Sequence, residues 1–119
     1  MKGIFIKVNW CFGQKAMALF PFVFHVGNIN EYTRNHERIH LRQQLEMLLI
    51  FFYLWYVAEY LVRFMQAAKF VSYSYNWQWI CDVHYNAYRA ISFEKEAYAM
   101  SAHLNYLKYR KWYAWVKYL

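Results

Sequence analysis

Residues that interrupt structure are scarce in this chain: three glycines, one proline and two cysteines in 119 residues. So few breakers leave no room for long linkers and no signal for a domain boundary, so residues 1–119 are read as a single domain. Cys11 and Cys81 stand alone with no CxxC pair, the pattern of buried free thiols in a reducing compartment. Acids are also few. Seven Asp and Glu against fourteen Lys and Arg give a net charge of +7, which makes nucleic acid or an anionic membrane surface a candidate partner. Long apolar runs are lacking too. The longest, Met47 to Ala58 (MLLIFFYLWYVA), lies between Glu46 and Glu59, and as a helix it rises ~18 Å, short of the ~30 Å hydrocarbon core. At the N-terminus, Lys7 and Asn9 break the apolar core that a signal peptide needs. The expected location is therefore cytoplasmic or peripheral to a membrane.

Aromatic side chains are abundant. At 24% aromatic and 61% hydrophobic, the chain is far too apolar for disorder, and its Tyr and Trp combine apolar bodies with polar tips as membrane interfaces do. Alternation in GIFIKVNW predicts a strand with Ile4, Ile6 and Val8 on one face. A turn at Gly13 and a second strand, KAMALFPFVFHV, would complete an N-terminal β-hairpin with Pro21 on an open edge. Asn30 or Thr33 can cap a helix, and the stretch from there to about Gln66 contains no Gly or Pro, so one long helix is expected. KFVSYSYNWQWICDV reads as an aromatic loop, with Tyr73, Tyr75 and Trp77 allowing a short strand, and YNAYRA as a helical turn. Ser92 would cap a last helix running close to the C-terminus. The expected fold is α+β: a hairpin packed on a long helix and a C-terminal helix.

Within the long helix, HERIH places His36 and His40 one turn apart on the same face, where both imidazoles can reach one tetrahedral zinc ion. Glu37, about 100° around the helix, can lean over the metal without ligating it, the position of a base that takes a proton from metal-bound water. A third ligand has to come from Asp82, His84, Glu94, Glu96 or His103. Glu94 and Glu96 begin a second helix about 200° apart, so only one can face the metal. Glu96 is nearer the centre of the apolar stripe, whereas Glu94 is followed by Ala97 and Ser101, small residues that permit close helix approach. Periodicity leaves both open.

HERIH followed by a helix carrying EKEAY resembles the gluzincin branch of zinc metallopeptidases. It is similar to membrane-associated zinc proteases with a Glu-x-x-Ala-Asp second motif and to the metallopeptidase domain of β-lactam-sensing receptors. NHERIHLRQQLE also resembles short bacterial zincin-like proteins with glutamines after the first motif. The resemblance covers Thr33–Glu46 and Ala87–Ala102. It implies a minimal zincin-like fold that binds Zn²⁺ through His36, His40 and Glu94, and a peptide or protein substrate hydrolysed with Glu37 as base. Tyr98 stands where the larger families carry an aspartate that orients a ligand histidine.

Tyr88 and His84, just upstream of Glu94, are candidates to donate a proton or hydrogen bond to an oxyanion. The strand Ala16–Phe24 could pair with an extended substrate. LKYRKWYAWVKYL mixes Lys and Arg with Tyr and Trp, as a helix on an anionic membrane does. No nucleic-acid-binding motif appears, so nucleic acid is not expected. The rival reading is a non-catalytic zincin scaffold serving as a membrane-surface or partner-binding module.

Overall fold

The computed structural model describes residues 3–11, 14–70 and 76–119. The fold is α+β. Strands β1 (Ile4–Val8), β2 (Ala16–Leu19) and β3 (Phe22–Val26) form one sheet in the order β1-β3-β2. Helices α1 (Glu31–Glu46), α2 (Ile50–Phe70), α3 (Trp77–Ala90), α4 (Ser92–Met100) and α5 (Tyr106–Tyr109) follow, with a 3-10 turn at Ala114–Tyr118.

The hairpin differs from the expected one. β3 runs parallel to β1 and antiparallel to β2, and the hairpin lies inside the stretch expected to be a single strand. Its turn is at Phe20–Pro21, whose peptide bond is cis. Proline has no N–H for a ladder, so the chain turns there instead of continuing. The turn expected at Gly13 lies outside the described residues. The inward face of β1 also differs. Phe5, Val23 and Ala18 are cross-strand neighbours and pack against Leu41 of α1, while Ile4 is half exposed.

Asn30 caps α1, its side chain accepting from the Thr33 amide at 2.8 Å. The long helix breaks after Glu46: the α1 and α2 axes differ by 112°, and Leu48 and Leu49 take left-handed φ values of 53° and 61°. Each costs about 1–2 kcal/mol for a residue with a Cβ. The bend swings Phe52 onto Phe93 at a ring separation of 4.5 Å, with Trp115 on the same ring. It also brings the Glu59 carboxylate to the start of α4, where it accepts from the Ser92 amide at 2.8 Å and its hydroxyl at 2.6 Å. Ser92 is therefore the residue capped, not the cap. No single helix among the described residues is long and apolar enough to cross a membrane.

Two further expectations change. Trp77 opens helix α3, which includes YNAYRA and is capped by Asn76, while Tyr73 and Tyr75 lie outside the described residues. The C-terminal helix is not continuous. Arg110 is fully buried, its guanidinium donating to both Glu46 oxygens at 2.9 Å and to both oxygens of Glu96. In one unbroken helix Glu96 and Arg110 would stand about 21 Å apart, so their contact requires the chain to fold back after α4. Asn35 of α1 secures that reversal by donating to the carbonyls of Ser101 at 2.8 Å and His103 at 3.0 Å.

Removing Arg110 from this buried network leaves the Glu46 and Glu96 carboxylates without their counter-charge. Arg110→Ala is expected to lower the unfolding free energy by about 3–5 kcal/mol, read from urea unfolding. A loss under about 1 kcal/mol, as at an exposed pair, would mean that the network does not hold the C-terminal segment.

Candidate metal centre

Polar residues sit inside α1 because two layers cover it, the sheet on one side and α4 on the other. His36, Glu37 and His40 are all buried. The short α4 carries Glu94 to them across the buried Ala97, whose small side chain allows close approach.

His36 Nε2 and His40 Nε2 are 3.2 Å apart, and Glu94 Oε1 lies 3.3 Å from the first and 3.2 Å from the second. Among the described residues these are the His, Cys, Asp and Glu side chains whose ligand atoms converge closely enough to hold a metal ion. An ion bound tetrahedrally at ~2.0–2.1 Å has ligand–ligand edges of about 3.3–3.4 Å, so the three atoms already span one face of such a site. Two imidazole nitrogens and one carboxylate oxygen leave a fourth position free.

The supporting contacts fix which atoms point inward. Ser101 donates its hydroxyl to the Ala97 carbonyl, so its oxygen, 3.0 Å from His36 Nδ1, accepts from that ring. His40 Nδ1 donates to Gln43 Oε1 at 2.8 Å. The Gln43 amide in turn donates to Glu96 at 2.9 Å and to the Phe93 carbonyl at 3.1 Å. Both rings thus carry a proton on Nδ1 and direct Nε2 to the centre, as ligands need. Tyr56 donates to Glu94 Oε2 at 2.9 Å, leaving Oε1 for the metal.

Without a metal, the group holds a proton instead. Burial alone would lower the His40 pKa, but the Glu94 carboxylate outweighs it and raises the pKa to about 9. His36 is lowered, chiefly by burial. Burial pushes Glu94 up, yet the charge on His40 and bonds from both rings hold it well below the usual carboxylate range. Glu37 is raised to about 7, mostly by burial, and stays outside the group of three.

A cleft of about 690 Å³ opens beside His36 and Glu37, walled by tyrosines that include Tyr56, Tyr60, Tyr88 and Tyr98. A smaller one of about 220 Å³ reaches His40 and Glu94 along β2. Tyr88 lines both, with its hydroxyl 3.4 Å from that of Tyr98, and burial together with Glu94 raises its pKa, so it remains a donor. His84 is exposed on the outer wall, its Nδ1 2.7 Å from Tyr60 Oη. Of the two, Tyr88 is the one near the centre. Asp82 bonds Gln78 on the surface and His103 is exposed, so neither joins the ligands. Glu96 faces Arg110, Tyr106 and Gln43.

The sequence reading did not identify Gln43, Tyr56 or Arg110, and it gave Ser101 only a spacing role. Gln43 lies at i+3 from His40 on the buried face, a readable position. Nothing local marks Tyr56. Where the larger families place an aspartate, Tyr98 packs edge-on against His36 at 4.5 Å, and Ser101 receives the ring proton.

Glu94→Ala should abolish tight metal binding, and Ser101→Ala should weaken it by roughly tenfold to a hundredfold while the fold stays intact, measured by chelator competition and thermal unfolding. Unchanged affinity in Glu94→Ala would remove the third ligand from the site. No family model matches the chain, nor does any curated protein or solved structure, so the case for a metal centre rests on this geometry and on the motif residues themselves.

Proposed function

We propose that the protein is a zinc-dependent, gluzincin-like metallopeptidase acting on peptide or protein substrates. The observation that carries this reading is the triangle of His36 Nε2, His40 Nε2 and Glu94 Oε1, with the buried Glu37 beside it but outside it. Two neutral nitrogens and one carboxylate suit Zn²⁺ with an open fourth position, and zinc there supplies Lewis acidity toward water and a carbonyl. Glu37 is desolvated on the cleft side, with no hydrogen bond from the described residues. Its pKa near 7 favours a base that can both take a proton and give it up. Tyr88 stays protonated and lines both cavities, which supports a role as donor to the developing oxyanion.

The sheet edge favours a peptide. β2 is the outer strand on the cleft side, and Lys15 to Leu19 line the two cavities. Val26 donates to Lys15, so by alternation the main-chain groups of Ala16 and Ala18 point away from β3. Gln44 already takes the Ala18 carbonyl and accepts from the Phe20 amide, which leaves Ala16 to pair with an extended chain.

Protein purified without added metal is expected to carry about one zinc per chain by elemental analysis, and Glu37→Gln should keep that zinc while losing peptide hydrolysis. Hydrolysis by the variant at the wild-type rate would refute the assigned base. Retained zinc with no hydrolysis in either protein would favour the non-catalytic scaffold.

A further inference from the structure

α2 turns Phe52 and Glu59 inward and leaves most of its surface bare. On the outward side Phe51, Leu54, Leu61, Val62 and Met65 recur at helical spacing, each more than half exposed. Between Ile50 and Met65 this stripe runs about 22 Å. The two charges within that span, Glu59 and Arg63, pair with each other at 3.3 Å. A continuous apolar face of this length on a folded chain marks a binding surface.

The elbow adds a second observation. Leu48 holds a left-handed backbone that Gly or Asn would adopt at less cost, yet it is 71% exposed, so its own side chain does little to offset the strain. A bare leucine at such a position is accounted for if its side chain is buried in something outside the chain.

The distribution of charge says what that is. Five of the seven acids, Glu37, Glu46, Glu59, Glu94 and Glu96, are buried, and only Glu31 and Asp82 are exposed. Among the described Lys and Arg, only Arg110 is buried. The surface is therefore more cationic than the net charge of +7 conveys, which opposes docking of a second copy and favours an anionic partner. The C-terminal segment lies against the elbow: Tyr113 bonds Glu46 through its amide at 3.0 Å and its hydroxyl at 3.1 Å, and Trp115 packs on Trp55 at 5.4 Å. Next to them Trp112, Val116, Lys111 and Lys117 are exposed, the mixture of rings and ammonium groups that an interface with lipid headgroups accepts.

We propose that the outer face of α2, the Leu48 elbow and the C-terminal segment dock together on an anionic phospholipid bilayer. The opposite face of α2 supplies Tyr56 and Tyr60 to the cleft, so docking holds the cleft about one helix diameter, ~10 Å, from the lipid. Resting on the peptidase reading, the substrate would then be a peptide segment lying at the membrane surface. The docking itself does not depend on that reading.

The test is co-sedimentation with vesicles of phosphatidylcholine alone and of phosphatidylcholine with phosphatidylglycerol, at low and high salt. The wild type should bind the anionic vesicles, more weakly as salt rises. Leu54→Gln combined with Leu61→Gln should weaken binding roughly tenfold or more, with thermal stability and metal content unchanged. Leu48→Gly should lower affinity without lowering the melting temperature, a pairing that a purely structural leucine would not give. Lys111→Gln with Lys117→Gln should reduce the salt-sensitive part. Absence of wild-type binding, equal binding to both vesicle types, or unchanged binding in the leucine variants would overturn the proposal. A dimer in sedimentation velocity that Leu54→Gln with Leu61→Gln abolishes would also overturn it, assigning the face to a second copy.

Discussion

Arg110 between Glu46 and Glu96 is the contact on which the rest of the molecule depends. It joins the end of α1, the middle of α4 and the C-terminal segment in one buried ion cluster. Glu46 also receives Tyr113, and Glu96 receives Tyr106 and Gln43. Through Gln43 the cluster reaches His40, so the ring that would bind the metal is oriented by a charge network anchored fourteen residues beyond Glu96. Buried ion clusters add little net stability over apolar packing, but they allow few alternative arrangements, because any shift leaves a charge unpaired. Here that selectivity fixes the azimuth of α4, and hence which of its two glutamates meets the histidines.

Burying five carboxylates in so small a chain requires each to be answered, and the answers differ. Glu46 and Glu96 share a guanidinium. Glu59 takes the Ser92 amide and hydroxyl together with Arg63, and Glu94 takes two imidazoles and the Tyr56 hydroxyl. Among the described residues Glu37 has no such hydrogen-bonding partner, and burial raises its pKa more than the nearby His40 lowers it. A carboxylate left without compensation beside a site that can hold a cation is the arrangement expected of a proton acceptor.

What the sequence conveyed reflects how local each interaction is. His36, Glu37 and His40 share one helical turn, so their spacing alone places them together on the buried side of α1, where the two histidines converge with Glu94 and Glu37 stays outside that group. The α+β class was legible from alternation followed by helical periodicity. The long-range terms were not. Nothing between Gln43 and Phe52 announces a break, since residues 47 to 50 contain neither Gly nor Pro, and packing of Phe52 on Phe93 outweighs two left-handed leucines. LKYRKWYAWVKYL has helical composition, yet the pull of Arg110 toward two glutamates ends the helical run. The aromatics of NWQWICDVHY suit a strand by propensity, and Asn76 with the contacts of α3 to α2 makes them a helix. In β1, pairing beside β3 turned Phe5 inward, which alternation by itself could not decide between two apolar faces.

The bend at Leu48 and Leu49 gives α2 two distinct jobs. A straight continuation of α1 would carry Tyr56 away from Glu94 and Glu59 away from Ser92, so the site and the start of α4 would both lose support. With the bend, one side of α2 closes the cleft with tyrosine hydroxyls and the other presents an apolar stripe from Ile50 to Met65. Since α2 is a single helix, its two faces stand one helix diameter apart with no intervening loop, and the inner one alone places Tyr56 against Glu94 Oε2.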